Sequence, residues 1–116
     1  MNQAERLDRT FAVLSDSTRR AILARLEREE ALSVSELARP HAIKLPAIMK
    51  HLDVLADAGL ITRAKAGRTV TVRLQPRPMR EALEWLRRYE RFWSASLDRL
   101  TILAEAREAD ARKAGR

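Results

Sequence analysis

Between Ser33 and Gln75, two short apolar stretches are split by a proline and followed by a run that alternates residue by residue. Few folds accommodate that order. Ser33-Val34-Ser35-Glu36-Leu37-Ala38 opens with Ser33 or Ser35 able to cap a short helix. That helix must stop before Arg39-Pro40, because proline has no amide hydrogen and disfavours helix in the residue before it. The next helix starts near Leu45-Pro46, where proline suits the first turn, and ends at Gly59, a natural C-terminal cap. Within it Ile48, Leu52 and Leu55 share one face and must pack inward. The opposite face carries Pro46, Lys50, Asp53 and Asp57, flanked by Ala47 and Met49. Thr69, Thr71 and Arg73 then alternate with Val70, Val72 and Leu74, the period of a half-buried strand. Ala66-Gly67-Arg68 forms the tip of a two-stranded hairpin. Residues 33–58 thus read as helix, turn, helix, and residues 61–75 as a wing.

The flanks are helical. Residues 4–14 place Leu7, Phe11 and Leu14 on one helix face. Ser15-Asp16-Ser17-Thr18 supplies caps for a helix over roughly 18–29, which buries Ile22 and Leu26 and leaves Arg19, Arg20, Arg25 and Arg28 outside. Ala31 and Leu32 form a short apolar strand or turn, and Gln75-Pro76-Arg77-Pro78 is a stiff connector. From Met79 to about Arg107 the pattern is one long helix: Met79, Leu86, Trp93 and Leu100 recur every seven residues, beside Leu83, Tyr89, Leu97 and Leu103. Trp85, Tyr89, Phe92 and Trp93 are four of the chain's five aromatics. A headpiece this small cannot bury that stripe, so its expected cover is the same helix of a second chain together with the first helix. The expected dimer-interface residues are Phe11, Leu86, Tyr89, Trp93, Leu97 and Leu100. The polar tail from Ala109 to Arg116 is expected to fray. The fold class is mainly α with a small β-hairpin: a single winged helix-turn-helix domain over 1–116, dimerising through its N- and C-terminal helices.

Charge narrows the partner. The chain carries a formal +7 with a pI near 10.9, which favours a polyanion. The excess is not uniform. Residues 44–75 hold six basic side chains against two acids, while residues 1–43 balance at seven and seven. Cysteine is absent, which removes disulfides, thiolate metal sites and thiol catalysis. Two scattered histidines and no glycine-rich phosphate loop argue against an enzyme, so no catalytic residue and no cofactor are expected. The N-terminus lacks a signal-peptide core and no apolar run reaches membrane-spanning length, so a cytoplasmic protein without a membrane partner is expected.

Three segments carry a resemblance. The run from Leu14-Ser15-Asp16-Ser17-Thr18-Arg19-Arg20 to Leu23, the helix from Leu45 to Leu52, and Leu55 with Ala58-Gly59-Leu60-Ile61 are similar to the ArsR-type bacterial transcriptional repressors. Trp85-Leu86-Arg87-Arg88-Tyr89-Glu90-Arg91-Phe92-Trp93 resembles a subgroup with an aromatic C-terminal helix. The resemblance implies a homodimer that binds double-stranded DNA at a pseudo-palindromic operator near its own promoter and blocks transcription. The helix opening at Leu45 would enter the major groove and the wing would lie along the adjacent backbone or minor groove, with half-sites about 10 bp or a multiple of it apart. Lys50 would meet guanine or a phosphate, and Lys44 a phosphate. Ala47 and Met49 would meet thymine methyls, with Pro46 and His51 as further DNA-contact candidates on that helix. Lys65 and Arg68 are wing candidates, joined by Arg63 and Arg73.

The chain departs from that family in places. Many members sense metals through Cys-x-Cys where this chain has Ser33-Val34-Ser35, and others use histidines on a last helix that has none here, so no metal site is expected. His51 is read as a local hydrogen-bonding or DNA-contacting group, and His41, after Pro40, as exposed. Lys44 stands where a capping serine is common and puts a cation near the positive end of a helix dipole. Asp53 faces outward where a basic residue is more usual. With Asp57 it supports the alternative reading, a winged-helix module that binds protein and not DNA. An effector pocket between the aromatic helix and the first helix would admit a small organic ligand; the competing account makes those aromatics dimer core.

Overall fold

The computed structural model describes residues 1–39 and 44–115. The turn through Pro40 and His41 lies outside them. The chain forms two compact units, Met1–Leu83 and Glu84–Arg116.

In the first unit, α1 (Gln3–Leu14), α2 (Ser17–Arg28), β1 (Leu32–Ser33), α3 (Val34–Ala38), α4 (Leu45–Asp57), β2 (Ile61–Ala66) and β3 (Thr69–Leu74) lead into α5 (Arg77–Leu86). Short polar side chains start the helices. Asn2 accepts from the Glu5 amide at 2.8 Å, and Asp16 accepts from the Arg19 amide at 3.0 Å. Ser33, the first of the two expected caps, builds a reciprocal capping box with Glu36, each bond 3.1 Å. At the end of α4, Gly59 adopts φ +75°. This left-handed residue lets the Gly59 amide reach the Ala56 carbonyl at 2.9 Å and the Leu60 amide reach the Leu55 carbonyl at 3.0 Å. The chain thereby reverses and delivers Leu60 and Ile61 into the core, where both are buried.

That core joins α1, α2, β1, α3, α4 and the sheet through Val13, Ile22, Leu23, Leu26, Leu32, Leu37, Ile48, Leu52, Leu55, Leu60, Ile61 and Val72. On α1, Thr10 and Val13 are buried, Leu14 packs against the core, and Phe11, expected at a dimer interface, is 37% exposed. The wing is also more than a hairpin: β1 pairs antiparallel with β3 (Leu32↔Val72, Ser33↔Thr71), giving a three-stranded sheet ordered β1-β3-β2. Of the strand or turn expected at Ala31 and Leu32, the strand is what forms, one residue later at Leu32–Ser33. The hairpin register pairs Ile61 with Leu74 and Ala66 with Thr69, so the turn narrows to Gly67-Arg68, with Gly67 at φ +63°.

The second unit contains the end of α5, a 3₁₀ turn at Arg87–Tyr89 and α6 (Glu90–Ala114). The single helix expected over 79–107 is therefore broken. Tyr89 sits at φ −101°, ψ 2°, off the helical basin. Neither proline nor glycine marks the break. Arg87 and Arg91 are like charges four residues apart, which disfavours a regular turn there. The Trp85 and Tyr89 rings meet edge to face at 5.4 Å, and Arg91 lies 4.7 Å over Phe92. The tail expected to fray continues α6 to Ala114, where Arg112 reaches Glu108 at 3.4 Å. No described residue of α6 is buried. No helix among the described residues is long and apolar enough to cross a membrane.

Candidate nucleic-acid interface

The two faces of α4 are treated oppositely. Ile48, Leu52 and Leu55 have no accessible surface, which fixes the helix against the core in one orientation. Lys44, Pro46, Lys50, Asp53 and Asp57 are exposed on the other side. Lys44 occupies the N-cap position without a side-chain hydrogen bond, and Pro46 falls in the first turn. Proline has no amide to satisfy, and the Ala47 amide reaches the Lys44 carbonyl at 3.0 Å, so the missing cap costs little. Ala47 is half-buried, and Met49 packs against the core, which leaves it less outward than the sequence suggested.

Neighbouring elements hold this helix at three points. Arg63 of β2 donates to Asp53 at 2.6 Å, tying helix to wing. The outward carboxylate that looked anomalous is thus paired with a wing cation. Arg9 of α1 donates to the Asp57 carbonyl at 3.2 Å and satisfies one of the orphan acceptors at the helix end. His51 Nδ1 stands 3.8 Å from the Asp16 carboxylate at the start of α2, so this histidine has a local acidic neighbour. The Arg19 amide that donates to Asp16, followed by the Arg19 and His51 side chains, holds that carboxyl below the usual range.

The wing supplies further charge. Lys65, Arg68 and Arg73 are exposed, with Arg68 in the hairpin turn itself. Lys44, Lys50, Lys65 and Arg68 have no ion-pair partner among the described residues, in contrast to Arg63. Ser33, in the place where relatives of the resembled family carry a metal-binding cysteine, spends its hydroxyl on the α3 cap. The remaining expected site residues fall in the second unit apart from Phe11. Leu86, Tyr89, Trp93, Leu97 and Leu100 are 36–62% exposed. Phe92 and Ile102 of α6 are also open, both 64% exposed; Phe92 is one of the aromatics offered above as dimer core, and Ile102 was not among the expected contacts. An apolar residue left open on a helix without a core is the signal that marks them.

A helix clamped on its inner face, open on its outer face and flanked by a basic hairpin defines a winged helix-turn-helix protein. Residues 14–64 match a family described as a helix-turn-helix domain. The chain is 38% identical over 90 residues to the HTH-type transcriptional regulator Rv2034 of Mycobacterium tuberculosis, covering 78% of this chain and 80% of that one. The crystal structure of an ArsR family transcriptional regulator, RHA00566, is 40% identical with a TM-score of 0.73, covering 78% of this chain and 93% of that one. An ArsR-like transcriptional regulator from Rhodococcus sp. RHA1 is 33% identical with a TM-score of 0.66, covering 87% of this chain and 94% of that one. The chain belongs to the ArsR family of winged helix-turn-helix transcriptional regulators.

Proposed function

We propose that the protein is a cytoplasmic, homodimeric repressor that reads a pseudo-palindromic operator in double-stranded DNA near its own or a neighbouring operon, and that it is not an enzyme. The observation that carries this reading is the exposed face of α4, with unpaired Lys50 on a helix whose other face is wholly buried. A B-DNA major groove admits one helix, and a helix fixed to the core presents its side chains with little entropy left to lose. Lys50 meets a base edge or phosphate, Lys44 a phosphate at the start of the helix, and Pro46, Ala47 and Met49 the apolar groove surface. Lys65 and Arg68 of the wing meet the backbone alongside. His51, next to Asp16, acts mainly inside the protein.

Two copies cover the apolar stripe of the second unit through Leu86, Tyr89, Trp93, Leu97 and Leu100, with Phe11 of α1 as a further contact. A contiguous apolar surface of this kind is rare on a monomer. The protein-binding alternative rested on Asp53 and Asp57 as outward acids, and of the two only Asp53 is paired among the described residues. The pairing of Asp53 with Arg63 removes the acid nearest the middle of the helix face from that support.

Mobility shift of the chain's own promoter DNA at graded salt tests the reading. Saturable binding should weaken steeply with salt, and Lys50→Ala should cost about 1–3 kcal/mol of operator affinity if it reads a base. Lys65→Ala or Arg68→Ala should lower the salt slope by about one unit each. Absence of saturable binding at low salt sinks the proposal.

A further inference from the structure

The first unit contains a cavity of about 510 Å³ bounded by α1, the end of α4 and the start of α5. Six of its lining side chains carry the argument: Arg6, Arg9, Thr10, Asp57, Arg77 and Glu81. Thr10 is 2% exposed, the only buried polar residue described. A helical threonine commonly returns its hydroxyl to a carbonyl one turn back. Here the hydroxyl has no hydrogen-bond partner among the described residues. Leaving a buried hydroxyl unserved is unfavourable, and such a group next to a cavity awaits a partner from outside.

The charges say which partner. Arg6 and Glu81 pair at 3.1 Å and cancel. Arg9 commits one N–H to the Asp57 carbonyl and keeps its other donors. Arg77 has no hydrogen bond or ion pair among the described residues, and neither does the Asp57 carboxylate. Two arginines thus face one carboxylate, an excess of one positive charge. Ala58 and Pro78 add apolar wall.

We propose that this cavity binds a small organic monocarboxylate, its carboxylate held between Arg9 and Arg77 and hydrogen-bonded by the Thr10 hydroxyl, its apolar body against Ala58 and Pro78. Guanidinium groups match a carboxylate in geometry as well as charge, and the volume falls in the range of small-molecule sites. A two-point grip on the carboxylate turns the Arg9 guanidinium and draws its committed N–H off the Asp57 carbonyl, the bond that ties α1 to the last turn of α4. Ligand binding therefore loosens the end of that helix and lowers DNA affinity, a consequence that rests on the repressor reading.

Calorimetric titration of the full chain with benzoate and butyrate tests the site, with inorganic phosphate at matched ionic strength as the comparison. The carboxylates should bind one per chain, and Arg77→Ala should weaken them by about tenfold or more. Thr10→Val keeps the side-chain shape and removes the hydroxyl. It should raise the Tm of the free protein while weakening benzoate several-fold. A purely structural Thr10 would move Tm alone. No saturable heat at millimolar carboxylate, affinity unchanged in either variant, a lower Tm for Thr10→Val, or phosphate binding as well as benzoate each overturns the proposal. Mobility shift with and without benzoate reads the coupling separately. Loss of DNA binding in both arms would count against the repressor reading and leave the calorimetric result standing.

Discussion

Met1–Leu83 and Glu84–Arg116 are equally rich in apolar side chains, just under half of the residues in each, and end in opposite states. Among the described residues of the first unit, helices and strands bury twelve apolar side chains in one cluster. In the second, α6 runs for 25 residues without burying any. The difference lies in connectivity. The first unit reverses direction at Gly59 and Gly67, so its apolar faces return to one another. The second has no such reversal, and a helix without a neighbouring element has nothing within its own unit to pack on. One region is finished by its own sequence; the other leaves its apolar side chains open, where the proposed second copy would cover them.

The contrast can be broken most forcefully in the core. Leu52→Ala removes a side chain with no exposed surface and should destabilise the protein by about 2–5 kcal/mol. Chemical denaturation reads it; a loss well under 1 kcal/mol would mean the inner face of α4 is not fixed as described. Leu97→Glu places a charge on the open stripe instead. It should leave the core intact by hydrogen exchange while raising the concentration for half-dissociation about tenfold or more, as sedimentation would record. Unchanged self-association would show that the stripe has another purpose.

Smaller changes sharpen the first unit's side. Ser33→Ala deletes the hydroxyl half of the α3 capping box and should cost about 1 kcal/mol in thermal denaturation. The acidic half responds to pH. The Ser33 amide, followed by its hydroxyl, lowers the Glu36 carboxyl below its ordinary value. A carboxyl depressed in the folded state stabilises fully above its unfolded pKa and loses that contribution as pH falls through the folded value. Asp16, lowered by the Arg19 amide first, behaves alike. Stability should therefore fall with acidification below the ordinary carboxylate range, and the slope should flatten in a double Asp16→Asn, Glu36→Gln variant. An equal slope in both proteins would refute the assignment. The smallest effect belongs to Asp53 and Arg63. The pair is partly exposed, so a double-mutant cycle should yield only about 0.2–1 kcal/mol in stability.

The sequence made the reading helix legible through local chemistry. Pro46 and Gly59 bracket α4, Ser33 caps α3, and the spacing of Ile48, Leu52 and Leu55 names the inner face. Period-two alternation marked β3. The unread features were those set by distant or non-periodic partners. Arg9 finds the Asp57 carbonyl 48 residues away, and β1, open as strand or turn in the sequence, is decided by its pairing with β3. Burial of Thr10 and Val13 on α1 was unread as well, because only the neighbouring elements decide which side of an apolar helix is covered. The 3₁₀ turn escaped notice because a stripe of apolar residues three and four apart survives a local tightening of the helix.

The bond from Arg63 to Asp53 also constrains the order in which this chain can change. Removing Asp53 first frees a wing cation, which a DNA-facing surface tolerates. Removing Arg63 first exposes an uncompensated acid on the face proposed to meet phosphates, where repulsion is felt at once. The two single substitutions are therefore unequal steps between the same endpoints, and a lineage losing the pair passes through the Asp53 change.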